Sequence, residues 1–160
     1  MAGRDQADPH WVNAILEWRW TWPLVRIALV SAYLVAGLAK LSDLSAAAAE
    51  QARFGLHPAW LWATLATVVE LGGSSLVVSG RLVWLGGGAL GILTAIATLV
   101  ADNFWTMSGP ARVIAMNGFL EHVGLIAGFV MVALIAARDT RAGSRRLPTI
   151  SVPTIPTEVP

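Results

Sequence analysis

Residues Pro58–Val78 read PAWLWATLATVVELGGSSLVV, and their only ionisable side chain is Glu70. As an α-helix rising about 1.5 Å per residue, this stretch is about 31 Å long, close to the thickness of a bilayer's hydrocarbon core. Backbone polar groups cannot stay unpaired in hydrocarbon, so one apolar run that crosses it must be helical. Three further runs have the same character: Leu24–Leu41, Leu82–Ala101 and Asn117–Ala137. The chain therefore reads as an all-α integral membrane protein, a bundle of four transmembrane helices.

Composition agrees. Of the 160 residues, 56% are apolar and 13% charged, against about 45–50% and about 25% in soluble domains. The length suits one domain. A net charge of +1 gives no global basic field, which argues against a nucleic-acid partner. With no cysteine, the chain can hold no disulfide, thiolate metal site or CxxC redox pair. Polar, Trp-rich sequence precedes Leu24 and no clean cleavage site follows, so the first span reads as a retained signal-anchor.

Ser79-Gly80-Arg81 is a tight link, which makes spans two and three an antiparallel hairpin. Between spans one and two, Ala46–Ala49 with Glu50, Gln51, Arg53 and Phe54 suit a short interfacial helix. Gly55-Leu56-His57 stops that helix ahead of Pro58. The third connection, Asp102–Met116, carries Phe104, Trp105, Gly109 and Pro110. Arg4, Arg19, Arg26, Arg81, Arg138, Arg141, Arg145 and Arg146 fall on the side of the two chain ends, and Lys40, Arg53 and Arg112 on the other. The positive-inside rule then makes the N- and C-termini cytoplasmic.

Three regions follow. Residues 1–23 form a Trp-rich interfacial segment, in which Trp11, Trp18, Trp20 and Trp22 serve as an aromatic belt or as a docking surface for a partner. Residues 24–137 are the membrane domain. Residues 138–160 are a basic and then Pro-rich tail whose composition predicts disorder.

The few polar residues of the spans fall at helical spacing, as seams. They are Arg26, Tyr33, Gly37 and Lys40 in span one, and Thr67, Glu70 and Ser74 in span two. Span three has Gly87, Gly91, Thr94, Thr98 and Asp102, and span four has Asn117, Glu121, Gly124 and Gly128. Close helix packing explains the glycines. It does not explain Glu70, which lies about 12 Å inside its span at about 1.5 Å per residue. An ionisable group at that depth costs at least about 2.5 kcal/mol and faces the bundle interior with a partner. Arg26 and Tyr33 are the expected partners, making Arg26, Tyr33 and Glu70 a buried polar site. Its role is either a proton-relay or headgroup-binding carboxylate, or a pin that fixes helix register. A second, outer polar layer is expected from Lys40, Asp102, Glu121 and His122. It is read as a ring of ion pairs or as the mouth of a cavity. No two spans carry the histidines a bis-His haem needs, and no HExxH-like spacing supports a metal.

Two pieces in order, Ala36-Gly37-Leu38-Ala39-Lys40 with Asp43, then Glu70-Leu71-Gly72-Gly73 with Gly80-Arg81, resemble the DoxX family of small four-helix membrane proteins. The resemblance runs from about Leu24 to Ala137 and includes Arg26-Ile27-Ala28, Gly55-Leu56-His57-Pro58, Asn117 and Phe119. It implies a membrane subunit associated with oxidoreductase systems, with Arg26, Lys40 and Glu70 on the family's polar signature and no residue assigned a catalytic role. The leading expectation is a non-catalytic or weakly catalytic subunit of a bacterial cell membrane. It would anchor or assemble an oxidant/thiol or quinone-linked oxidoreductase, with no intrinsic cofactor and a quinone or lipid around Glu70. A small transporter or permeability factor using Glu70, and a membrane chaperone, are the alternatives. The expected partners are the lipid bilayer and a protein, a soluble or membrane oxidoreductase.

Overall fold

The computed structural model describes residues 9–145. Among them all regular structure is helical: α1 (His10–Leu16), α2 (Thr21–Ser42), α3 (Leu44–Arg53), α4 (Ala59–Ser79), α5 (Val83–Ala101) and α6 (Gly109–Arg145), with one 3-10 turn at Phe104–Thr106. Helices α2, α4, α5 and α6 are long and apolar enough to cross a membrane. The protein is thus a multi-pass membrane protein in contact with lipid. Leu38, Val68, Ile92 and Leu134 are among the many large apolar side chains it turns outward.

Local chemistry sets the joints. Asp43 caps α3: its carboxylate accepts from the Ala46 N–H at 2.9 Å and the Ser45 hydroxyl at 2.7 Å, satisfying donors a helix start leaves open. At the other end of α3 the Leu56 N–H donates back to the Gln51 carbonyl at 3.1 Å, the closing bond of a helix stop. Gly80 ends α4 with φ 74°, a left-handed conformation that costs glycine nothing. The expected hairpin of α4 and α5 and the short helix between the first two spans are both present.

Each span runs antiparallel to the next, so the two ends of the described chain lie at one end of the bundle. Small residues set the spacing. A Cβ added to Gly37 would meet Leu71 at 2.8 Å, where α2 crosses α4. One added to Gly86 would meet the Gly73 carbonyl oxygen at 2.6 Å, where α4 crosses α5. The apolar core of Val30, Val77, Val83, Leu90, Phe129 and Val132 draws on all four spanning helices.

The fourth span departs from its expected bounds. It starts at Gly109 rather than Asn117, with Pro110 in the first turn, where a missing N–H costs no hydrogen bond. It also continues to Arg145, so the basic stretch from Arg138 is helical that far. The Pro-rich segment from Leu147 lies outside the described residues.

Candidate functional site

Glu70 sits midway along α4 and is only 5% exposed. Its carboxylate Oε1 pairs with the Lys40 ammonium Nζ. Two features of the backbone bring them together. Gly37 lets α2 approach so closely that a Cβ there would stand 3.2 Å from the Glu70 Cβ. Side chains on a helix also lean toward its N-terminus. Lys40 in the last turn of α2 therefore reaches back toward Gly37, and Glu70 on the antiparallel α4 leans up to meet it.

The same lean overturns the expected Arg26–Glu70 pair. Arg26 lies 11 residues before Gly37, about 16 Å along the helix, and its side chain points further away, toward the start of α2. There its guanidinium stacks over the Trp22 ring at 4.9 Å and lies against Gly80, whose added Cβ would meet Nη1 at 2.5 Å. Arg26 thus braces the turn between α4 and α5. Tyr33, the other expected partner, is half-buried between the two. Its hydroxyl shares a 2.6 Å hydrogen bond with Thr94 on α5, and its ring packs on Phe129 of α6 at 5.5 Å. Its hydroxyl bond thus goes to Thr94 and not to Glu70.

The expected outer layer divides. Asp102 and His122 meet, with Nδ1 of His122 3.0 Å from Asp102 Oδ2 and 2.8 Å from the Thr98 hydroxyl. Lys40 is drawn into the pair with Glu70. Glu121 is exposed on the outer surface of α6, as are Asn117 and Gly124, so that part of the fourth-span seam faces outward, while Gly128 packs on α2, where an added Cβ would meet Leu29 at 3.0 Å. The inward face of α6 carries Ala115, His122 and Phe129, seven residues apart, with Gly118 and Val132 between these rows. That heptad spacing was the available signal; the polar residues one position away drew the reading off it.

A cavity of about 430 Å3 opens beside the Lys40–Glu70 pair. Its walls are Trp62, Leu65, Ala66 and Val69 of α4 and Ala89, Ile92, Leu93, Ile96, Ala97 and Val100 of α5. Glu50, Gln51, Phe54 and Leu56, from α3 and the turn after it, close one side. The cavity is apolar apart from the ion pair and that rim, the usual form of a small-molecule site: an apolar body with a few placed polar groups. Glu70 Oε2 is buried and accepts no hydrogen bond from the described residues. Of the outer layer read as an ion-pair ring or a cavity mouth, Lys40 alone lines this cavity; the walls are ordinary span residues, which carry no sequence signal.

Comparison with protein families matches residues 21–103, just over half of the 160-residue chain, to the DoxX family model. The matched stretch contains Lys40, Glu70 and the cavity walls and stops short of α6. No curated protein and no solved structure matches the chain.

Proposed function

Because this chain belongs to the DoxX family, we propose that it is a membrane subunit of an oxidoreductase system that seats a bilayer-borne amphiphile, a quinone or a lipid, beside Lys40 and Glu70. One observation carries the reading: an ion pair between the buried Glu70 and the partly buried Lys40 lines an apolar cavity of about 430 Å3. A register pin needs no cavity. The cavity beside the pair supports a use for it beyond holding α2 against α4.

The subunit role also fits the end of the bundle where the chain starts and α6 finishes. Trp11, Trp18 and Trp20 are exposed there, as are Arg138 and Arg141. Aromatic and basic side chains at one membrane face suit both a headgroup belt and a soluble partner. The proposed setting is a bacterial cell membrane with this end in the cytoplasm, on the distribution of arginine.

Gentle detergent purification tests the proposal. The wild-type chain and Ala97→Phe, which adds a ring to the cavity wall, are compared for bound lipophiles and co-purifying proteins. An oxidoreductase with both chains and a lipophile lost from Ala97→Phe is the expected result. Proton-driven uptake abolished by Glu70→Gln, with no lipophile and no partner, would instead favour the transporter.

A further inference from the structure

Arg26 and Lys40 are the two basic side chains of α2, and of the two only Lys40 has a carboxylate. Among the described residues no group accepts a hydrogen bond from Arg26 and no acid pairs with it. What touches it leaves its donors free. Trp22 covers one face of the guanidinium at 4.9 Å, and Gly80 lies against Nη1. A ring stacked on that face engages the charge and not the N–H groups, which point outward in the plane. Nε is buried, but the residue as a whole is part-exposed. The terminal pair, Nη1 and Nη2, is therefore the part that a ligand can reach.

Where that pair stands decides what meets it. Arg26 is about 7.5 Å along the helix from the start of α2 at Thr21. Its side chain leans back toward that start, to the level of Trp22 and of the turn between α4 and α5. Tryptophan at the end of a span marks the headgroup level, so the guanidinium lies among lipid phosphates rather than in hydrocarbon. Its surroundings are electropositive. Arg81 follows Gly80 in the same turn and is exposed, and Arg19, Arg138 and Arg141 lie at this end of the bundle against two carboxylates, Glu17 and Asp139.

We infer that Nη1 and Nη2 of Arg26 hold the phosphate of an anionic phospholipid in the leaflet at this end of the bundle. A guanidinium offers parallel N–H groups that fit two phosphate oxygens. A partly desolvated charge without a counterion is costly, and an anion removes that cost. Water or an ester carbonyl can accept a hydrogen bond but neutralises nothing. A zwitterionic head brings the same phosphate together with an ammonium that the neighbouring arginines repel. A free phosphate shares the chemistry but must leave water for a part-buried seat, whereas diacyl chains already carry the headgroup to this depth. The seat is at the opposite end of α2 from Lys40 and does not rest on the reading of the cavity.

Native mass spectrometry of the full chain, released from micelles of defined lipid content, tests the inference. The wild type is expected to retain phosphatidylglycerol about fivefold more strongly than phosphatidylcholine of the same chains, the worth of one basic side chain at an anionic surface. Arg26→Gln should lose that preference, and Arg26→Lys, which keeps the charge without the fork, should fall between. Arg138→Gln removes an exposed arginine at the same end and should keep it. An equal drop in Arg26→Gln and Arg138→Gln would mean diffuse attraction to a basic surface and overturns the inference. Equal retention of both lipids by the wild type overturns it too, in a comparison that needs no variant to fold. Displacement of the lipid by millimolar inorganic phosphate would reassign the seat to free phosphate. A protein held by the wild type and lost from Arg26→Gln would reassign the guanidinium to an acidic partner.

Discussion

Two of the polar contacts between spans among the described residues are built differently. Thr98, Asp102 and His122 join α5 to α6 near one end, with His122 and Asp102 side chains 34% and 20% exposed. Each of the three has a protein partner. Lys40 and Glu70 join α2 to α4 deeper in, at 18% and 7%, with one carboxylate oxygen left over and a cavity alongside. The first cluster is closed on itself and acts as a clasp. The second has a cavity alongside it and a buried oxygen that no described residue satisfies. Polar residues at helical spacing look alike in both, so the distinction lies in unused hydrogen-bonding capacity rather than in residue type.

Glu70→Ala should break the comparison most severely. Removing one partner strands the Lys40 charge, and such a loss typically costs about 3–5 kcal/mol; the ability of Lys40 to reach water from the last turn of α2 pulls the value toward the lower end. Reversible unfolding in mixed micelles measures it. A double-mutant cycle of Glu70→Gln with Lys40→Met should give a coupling of about 0.5–3 kcal/mol, whereas Glu70→Gln with Arg26→Ala should be additive within about 0.5 kcal/mol. Coupling to Arg26 and none to Lys40 would reverse the assignment.

Gly37→Ala attacks the same cluster through its backbone. The new methyl would stand 2.8 Å from Leu71, and overpacking of this kind costs about 1–3 kcal/mol. Because α2 and α4 must part to admit it, lipophile binding in the cavity should weaken as well. His122→Ala at the clasp should cost less, about 1 kcal/mol for a half-exposed hydrogen bond, and should leave cavity binding unchanged. An equal loss of binding in both variants would mean the two clusters are one site.

Burial of a different sort separates Ser74 from Glu70 one turn away. Its hydroxyl is fully buried and has no hydrogen-bond partner among the described residues. Ser74→Ala should therefore be neutral or stabilising by up to about 1 kcal/mol, read in the same unfolding assay. A clear loss would show that the hydroxyl is in use.

Much of this was legible in sequence, for identifiable reasons. Span length and apolarity report directly on bilayer thickness, so α2, α4 and α5 fall where hydropathy puts them. The depth of Glu70 made it exceptional because charge in hydrocarbon is costly wherever it sits. Its partner was misread because spacing along one helix says nothing about the lean of a side chain. Once α2 and α4 are antiparallel, that lean favours Lys40 over Arg26. The seam of α6 was misread because Asn117 and Glu121 near a helix end can face water, so polarity there does not mark the interior. The heptad of Ala115, His122 and Phe129 marks it better.

The smallest expected effect reaches the Lys40–Glu70 cluster through its cover. Asp43 lies just beyond the end of α2, outside the span. The Ala46 N–H and then the Ser45 hydroxyl hold its carboxyl below the ordinary value of 3.8. A group whose pKa is depressed by folding stabilises the fold at pH values above its unfolded pKa, and that contribution is lost as pH falls through the folded value. Cap support for α3 should thus be complete at neutral pH and fade below about pH 4. Hydrogen exchange at Ala46 and Ala47 should quicken in that window in the wild type, and already at neutral pH in Asp43→Ala. Since α3 supplies Glu50 and Gln51 to the cavity, the same acid step should loosen lipophile binding while the Thr98–Asp102–His122 clasp keeps its protection. Exchange in α3 that ignores pH between 5 and 3 would mean that Asp43 does not hold this helix start.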